Sequence, residues 1–320
     1  MKKYRPDWFI SGLFLMLAAA WAKPGIAMDW DPVNLGLIID IGIVLIFFFY
    51  GLKLDPAALK AGMRNWQMHT AIHLTTFLVF PLLILPFYPL VRGTDLEIFW
   101  MGLFFLAALP STVSSSVVMV SVAGGNIPGA IFNASMSGII GIVMTPFWMG
   151  LFLTNQNSGF NFSHVLLQLI VQIILPVVAG LFLRRFVVRW TVRHLIQLAT
   201  FDKIIILLIV YQSFSHSFRT NVFSEVNWLV LSGLFLVSIL LFFVIMGVTR
   251  FLAQRMHFSL PDRITLQFVG SQKSLMHASV FAGILFGGIG GAGVWLLPVM
   301  IYHSFQLFFT SLIARRQQNT

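Results

Sequence analysis

Apolar residues fill this chain in long runs set apart by short polar breaks, and the runs do not alternate with polar positions. A bilayer core is crossed by ~20 helical residues. Each run therefore predicts a membrane-spanning helix. A β-barrel would show a period of two, and Leu229–Val248 shows none. Ten spans follow: 8–23, 34–52, 67–90, 98–123, 126–153, 164–184, 202–219, 226–250, 259–287 and 291–314. The loops between them are too short for a soluble domain. The first run follows Lys2, Lys3 and Arg5, but no small-residue cleavage site closes it, so it reads as a retained span.

Composition agrees. Of 320 residues, 58% are hydrophobic and 9% charged, where a soluble domain carries ~25% charge. The absence of cysteine excludes disulfides and thiolate metal sites. The net charge of +10 would suit a nucleic-acid binder, but its placement does not. With ten spans both termini share one side. That side holds Lys2, Lys3, Arg5, Lys53, Lys60, Arg64, Arg184, Arg185, Arg189, Arg193, Lys203, Arg250, Arg255, Arg263, Arg315 and Arg316. The other side holds Lys23, Arg92 and Arg219, and Lys273 completes the 20 basic residues. Cytoplasmic loops collect Lys and Arg. The prediction is a multi-pass protein of the cell's inner (plasma) membrane with both termini cytoplasmic, its basic loops facing lipid headgroups rather than nucleic acid.

The spans divide into halves, 1–153 and 154–320, with five in each. An odd number of spans gives the halves opposite orientation, an inverted repeat. The fourth span of each half is interrupted, by Pro110-Ser111-Thr112-Val113-Ser114-Ser115-Ser116 in one and Gly270-Ser271-Gln272-Lys273-Ser274 in the other. Proline breaks the helical ladder, and unwound backbone inside a bilayer must find protein, water or ligand. Half-helix N-termini offer partial positive charge to an anion, and unwound carbonyls offer oxygen to a cation.

Lys273 is the residue of greatest interest. An ammonium at that depth costs ~3 kcal/mol on insertion scales. It lies too far from either span end to snorkel, ~20 Å of helix. It either bonds permanently to helix-end carbonyls and serine hydroxyls or meets a solute or coupling ion. Asp40 is a candidate counter-ion. Ser114, Ser115 and Ser116 follow Pro110 as packing contacts or as ligand contacts; Asn133, Ser135 and Ser137 lie on the next span. Gln272, Ser271 and Thr76 complete the candidate site. Gln267, His277 and His303 read as interhelical hydrogen-bond formers, and Gly287–Gly291 as an outer turn. No phosphate-cradling motif, paired carboxylates or HExxH motif is present, so an enzyme is not predicted.

Several segments carry a family resemblance. They are Phe47-Phe48-Phe49-Tyr50-Gly51-Leu52, Thr76-Phe77-Leu78-Val79-Phe80-Pro81, Leu109-Pro110 with Ser114-Ser115-Ser116, and Gly124-Gly125-Asn126. Ile131-Phe132-Asn133, Met144-Thr145-Pro146, Gly270 to Leu275 and Leu297 to His303 complete the set. In this order they resemble the bile acid:sodium symporter superfamily, in its SBF-like branch. The resemblance implies an all-α fold of ten helices in an inverted five-plus-five repeat, with panel and core domains. The fourth and ninth helices would unwind and cross near the midplane. It implies secondary transport of a small organic anion with sodium, one domain rocking against the other in alternating access.

The family's sodium ligands map here only in part. Ser115 and Ser116 take the positions of a Ser-Asn pair, and Gln272 keeps the crossover glutamine. The fifth-helix hydroxyl positions fall on Ala130 and Ala134, beside Asn133 and Ser135; the crossover glutamate falls on Phe268, and the third-helix glutamine on Thr76. A sodium site at Ser115, Ser116, Asn133 and Gln272 is one expectation. The other is that the Lys273 ammonium fills the ion's space, bonded to Ser115, Ser116 and Asn133, with transport linked to protons or uncoupled. A membrane sensor or complex subunit that transports nothing is the alternative function.

Overall fold

The computed structural model describes residues 8–23, 34–63, 65–153, 162–219, 228–286 and 292–318. Among these every regular element is helical. In order they are α1 (Trp8–Ala22), α2 (Leu35–Lys53), the short α3 (Pro56–Gly62), α4 (Trp66–Val91), α5 (Glu97–Ala108), α6 (Ser114–Val122) and α7 (Ile127–Leu153). Then α8 comprises Phe162–Leu169, a π-helical turn Ile170–Ile174 and Leu175–Arg193. It is followed by α9 (Leu195–Arg219), α10 (Trp228–Arg255), α11 (Leu260–Ser271), α12 (Leu275–Phe286) and α13 (Ala292–Gln318). The glycine-rich stretch Gly287–Gly291, read above as an outer turn, lies outside the described residues.

Among the described residues, seven helices are long and apolar enough to cross a membrane. The fourth and ninth expected spans fall short because each is two helices: α5 and α6 replace 98–123, and α11 and α12 replace 259–287. The sixth and seventh spans instead run longer than expected. α8 continues to Arg193 through non-helical backbone at Val187, and α9 begins at Leu195. The arginines there suggested a loop, but long basic side chains can leave a helix for the aqueous edge while its backbone continues.

The chain forms two compact units. The first comprises Met1–Lys53, Leu167–Val226 and Ser279–Leu296. Its helices meet through small residues, the means by which backbones approach closely in a bilayer. At the α2–α8 contact, a Cβ on Gly51 would strike the Val177 carbonyl, and one on Gly180 the Phe48 carbonyl. At the end of α2, Arg184 donates to the Leu52 carbonyl at 3.0 Å and Lys53 pairs with Asp202 at 2.6 Å. Both cations stand where a helix ends in negative partial charge.

The second unit comprises Leu54–Leu166, Asn227–Ala278 and Leu297–Thr320. Three of its helices begin on one carboxylate. Asn65, Asn126 and Ser259 cap α4, α7 and α11 through bonds to Met68 N, Gly129 N and Asp262 N. All three caps also donate to the Asp262 side chain, from Asn65 Nδ2 at 2.9 Å, Asn126 Nδ2 at 2.8 Å and Ser259 Oγ at 2.9 Å. Serine with an acid three residues on is a capping pattern; the two asparagines extend it across helices. Above this knot a core of Met68, Ile72, Ala130, Ala134, Leu266 and Phe268 packs together.

The glycine contacts of the first unit give a test. Forcing side-chain atoms into a filled contact costs ~1–3 kcal/mol. Gly180→Leu protein is expected to melt below the wild type, whereas Gly233→Ala, where a Cβ meets nothing within 4 Å, is not. Equal melting of Gly180→Leu and wild type in detergent would refute the close-contact account.

Candidate functional site

Two broken helices meet inside the second unit. α5 stops at Ala108 because Leu109 is extended (φ −70°, ψ 152°), the conformation that a following proline favours. α11 stops at Ser271, with Gln272 extended (φ −89°, ψ 147°). The unwound strands touch: Ser274 N donates to the Pro110 carbonyl at 3.0 Å, and Ser111 Oγ to the Val269 carbonyl at 2.6 Å. Gly141 permits this approach on one side, because a Cβ there would press on the Pro110 ring at 2.8 Å.

A helix that ends leaves carbonyls without donors, and here nearly every one can be followed to a partner. The Ala107 and Leu109 carbonyls each accept from Lys273 Nζ at 2.7 Å. Thr145 Oγ1 donates to Ala108 O at 2.8 Å, and Ser116 Oγ to Thr112 O. In the second break, Tyr302 OH donates to Ser271 O at 2.6 Å. The Gln306 amide brackets the Lys273 peptide, accepting from its N–H at 2.7 Å and donating to its carbonyl at 2.8 Å.

The third acceptor for Lys273 Nζ is the Thr76 carbonyl, at 2.9 Å. Its availability follows from the sequence Thr76-Phe77-Leu78-Val79-Phe80-Pro81. The turn Thr75–Val79 is π-helical, so Phe80 N bonds to Thr75 O. In that register the donor for Thr76 O would be residue 81, which is proline and has no N–H. The same proline leaves Phe77 O open, and Trp148 Nε1 fills it at 2.8 Å. The ammonium thus gives its three protons to three carbonyls, and the Phe80 ring lies 3.9 Å away in cation–π contact. Lys273 is 1% exposed.

These distances correct the expected partners. Lys273 Nζ bonds to carbonyls, not to Ser115, Ser116 or Asn133. The reason is directional: those side chains lie on helices past the first break, whereas the ammonium turns to the C-terminal end of α5, where carbonyls are unpaired. Asp40 is exposed in the first unit and is not among the bonded partners of Lys273.

The other candidates divide into groups. Ser115 Oγ donates to Gln272 Oε1 at 2.7 Å, joining the two breaks. Gln272 Nε2 is buried and meets no partner, and Ser114 is exposed at the start of α6. Ser116, Ser271 and Thr76 spend their hydroxyls on the preceding turn, at Thr112, Gln267 and Ile72. Ser135 is buried on α7. Asn133 donates to Gly129 O and receives His69 Nδ1 at 3.1 Å. The reading of Gln267 as an interhelical hydrogen-bond former holds, through Gln317 on α13, and His303 Nδ1 accepts from Gln306 Nε2 on its own helix. His277 bonds to Ser274. Sequence reasoning gave no role to Gln306, Tyr302, Thr145 or His69. Tyr302 and Thr145 do lie within the motifs quoted for the family; Gln306, one turn beyond His303, carried no signal.

A membrane-embedded helical unit with two broken helices joined back to back defines a secondary transporter rather than an enzyme. Comparison with known proteins agrees. Residues 7–319 match the SBF-like CPA transporter family, and the chain belongs to that family. It is 34% identical over 319 residues to an uncharacterized protein of Pseudomonas aeruginosa, covering 98% of this chain and 93% of that one. It is 34% identical to "Putative symporter YfeH" of Escherichia coli K12, covering 86% and 82%. It is 28% identical to sodium/bile acid cotransporter 7 of Rattus norvegicus, covering 98% and 93%. Taken alone, a buried and fully bonded Lys273 would suit a protein that transports nothing; family membership makes this chain a multi-pass membrane transporter.

The cage is tested by emptying it. Lys273→Met leaves three buried carbonyls without donors, each costing ~1–3 kcal/mol, so a large fall in melting temperature or folded yield is expected. Pro81→Ala supplies an N–H that competes for Thr76 O and should give a smaller fall. Wild-type stability in Lys273→Met would show that the ammonium does not hold the break together.

Proposed function

We propose that this transporter moves a small organic anion by alternating access, with the Lys273 ammonium as a resident cation in place of bound sodium. The observation that carries the reading is the three-carbonyl cage around Lys273 Nζ at the meeting of two broken helices. Elsewhere in biology such oxygens serve a transported cation; in this chain a tethered one fills them. The residues at the family's sodium positions support this. Ala130, Ala134 and Phe268 pack into one apolar cluster, which offers no oxygen to an ion. The remaining candidates, Ser115, Ser116, Asn133 and Gln272, are engaged with backbone, with each other or with His69. The rat relative's name couples sodium to bile acid; the anion is carried over to this chain, sodium is not.

For the solute we favour the start of α6. A helix N-terminus attracts anions. Exposed Ser114, half-buried Ser115 and the free amide N–H of Gln272 would add donors there. Thr76, Ser271, Ser116 and Ser135 are read as supporting the breaks. Ten spans remain the preferred count: the seven long helices, α1, and the broken pairs α5/α6 and α11/α12. Inverted repeats 1–153 and 154–320 follow, with both termini cytoplasmic in the inner membrane, supported by the distribution of basic residues.

The test begins with purified protein and a panel of small organic anions, since a ligand stabilises in proportion to its occupancy. An anion that raises the melting temperature is then followed into proteoliposomes. Uptake is expected to be equal in sodium and potassium media, and Gln272→Leu is expected to weaken it about tenfold, the value of one lost hydrogen bond to a charge. Uptake that ceases without sodium would overturn the resident-cation reading. Stabilisation by organic cations instead would overturn the assignment of an anion.

A further inference from the structure

His69 and His73 lie four apart on α4, so their side chains share one face about 5–6 Å apart at Cβ. His69 is 8% exposed and packs against Phe132, with ring centroids 4.4 Å apart. His73 is half-buried and stacks on Phe77. The His69 tautomer is fixed by its neighbour. Asn133 Nδ2 donates to Gly129 O at 2.7 Å, which leaves Asn133 Oδ1 as an acceptor. His69 Nδ1 lies 3.1 Å from that oxygen and must carry the hydrogen. His69 Nε2 therefore presents a lone pair. It is buried and meets no partner, as is His73 Nδ1. An unpaired buried polar atom costs ~1–3 kcal/mol, and two on one face of one turn point to a guest.

We propose that His69 Nε2 and His73 Nδ1 form a binding site for a divalent transition-metal ion of the zinc class, its remaining positions filled by water. Imidazole suits Zn²⁺, Cu²⁺ and Ni²⁺, at ~2.0–2.1 Å for zinc. Metal-bound histidines characteristically donate their second ring N–H to a carbonyl or carboxylate, which fixes the ring and raises its basicity. The Asn133 contact has that form before any metal arrives. The flanking charges are Asp262, bonded to Asn65 at the foot of α4, and Lys273, bonded to Thr76 seven residues on. The helix packed on the Asn133 side, α7, carries no titratable residue. Trp66 begins the apolar span Trp66–Val91, so the pair lies in its first two turns, near the membrane edge rather than its core.

The test uses the full chain, purified in detergent with no affinity tag remaining, and needs no transported solute. Zn²⁺ is expected to raise the melting temperature, and Co²⁺ to give the visible absorption bands of a nitrogen-ligated site. His69→Gln and His73→Gln should each abolish both signals, while His194→Gln, at the cap that ends α8, keeps them. Asn133→Leu should weaken Zn²⁺ binding ~10–100-fold. His73 is half-buried, so His73→Gln decides the matter even if His69→Gln folds poorly. No response to Zn²⁺ or Co²⁺ in the wild type, or an unchanged response in His73→Gln, would overturn the site.

Discussion

The second unit depends on one constraint: a helix cannot be cut inside a bilayer unless its cut ends find hydrogen-bond partners in the protein. Leu109-Pro110 and Gln272-Lys273 make such cuts. Lys273 answers for three carbonyls at once, two at the end of α5 and one released from α4 by Pro81. Thr145, Tyr302, Gln306 and Ser274 account for five more bonds, two of them from Gln306. The cation and the carbonyls need each other. The charge would be prohibitive without three oxygens and the face of Phe80, and the oxygens would be orphaned without the charge.

A tethered cation differs physically from a dissociable one. Sodium in such a cage brings the free energy of its gradient and leaves once per cycle. An ammonium on a four-carbon stem can do neither. On the proposed reading it would keep the crossing electrically complete and let the solute arrive without a co-bound ion. On that reading the protein would give up the concentrating power of sodium for a site that stays assembled. The apolar packing of Ala130, Ala134 and Phe268 makes the exchange coherent, because oxygen ligands left there with no ion would be buried and unpaired.

Much of this was legible along the chain because bilayer rules are severe. Span length, the two interruptions and the oddity of Lys273 need only hydropathy and the cost of charge. What could not be read is which atoms meet. The serines after Pro110 were expected to meet the ammonium because they take the positions of the family's sodium ligands. The real partners are backbone carbonyls, which have no sequence signature. Thr76 O became available through a π-helical register combined with Pro81, and neither feature alone would have shown it. Gln306 and His69 act across more than thirty and sixty positions, to Lys273 and Asn133. Isolated polar residues of this kind in apolar helices can be flagged by sequence but not paired. The span count shows the same limit from the other side, since a broken helix reads as one continuous apolar run.

The two units meet the same solvent by opposite means. In the first, glycines bring α2 and α8 backbone to backbone, so the contact is steric and holds only one arrangement. In the second, helices are joined through bonds that converge on a few side chains, Asp262 at the N-terminal knot and Lys273 at the crossing. Such a network is stiff while every member is satisfied, yet it can change when a single partner is replaced by a solute donor or acceptor. Ser115 and Gln272 are bonded to each other across the two breaks with the Gln272 amide nitrogen still open, and on the proposed reading they are the member the solute would exchange with. Rigidity from packing and responsiveness from polar bonding are thus assigned by sequence to different parts of one chain. A transporter requires both: a body that resists deformation and a site whose bonding changes when the solute is present.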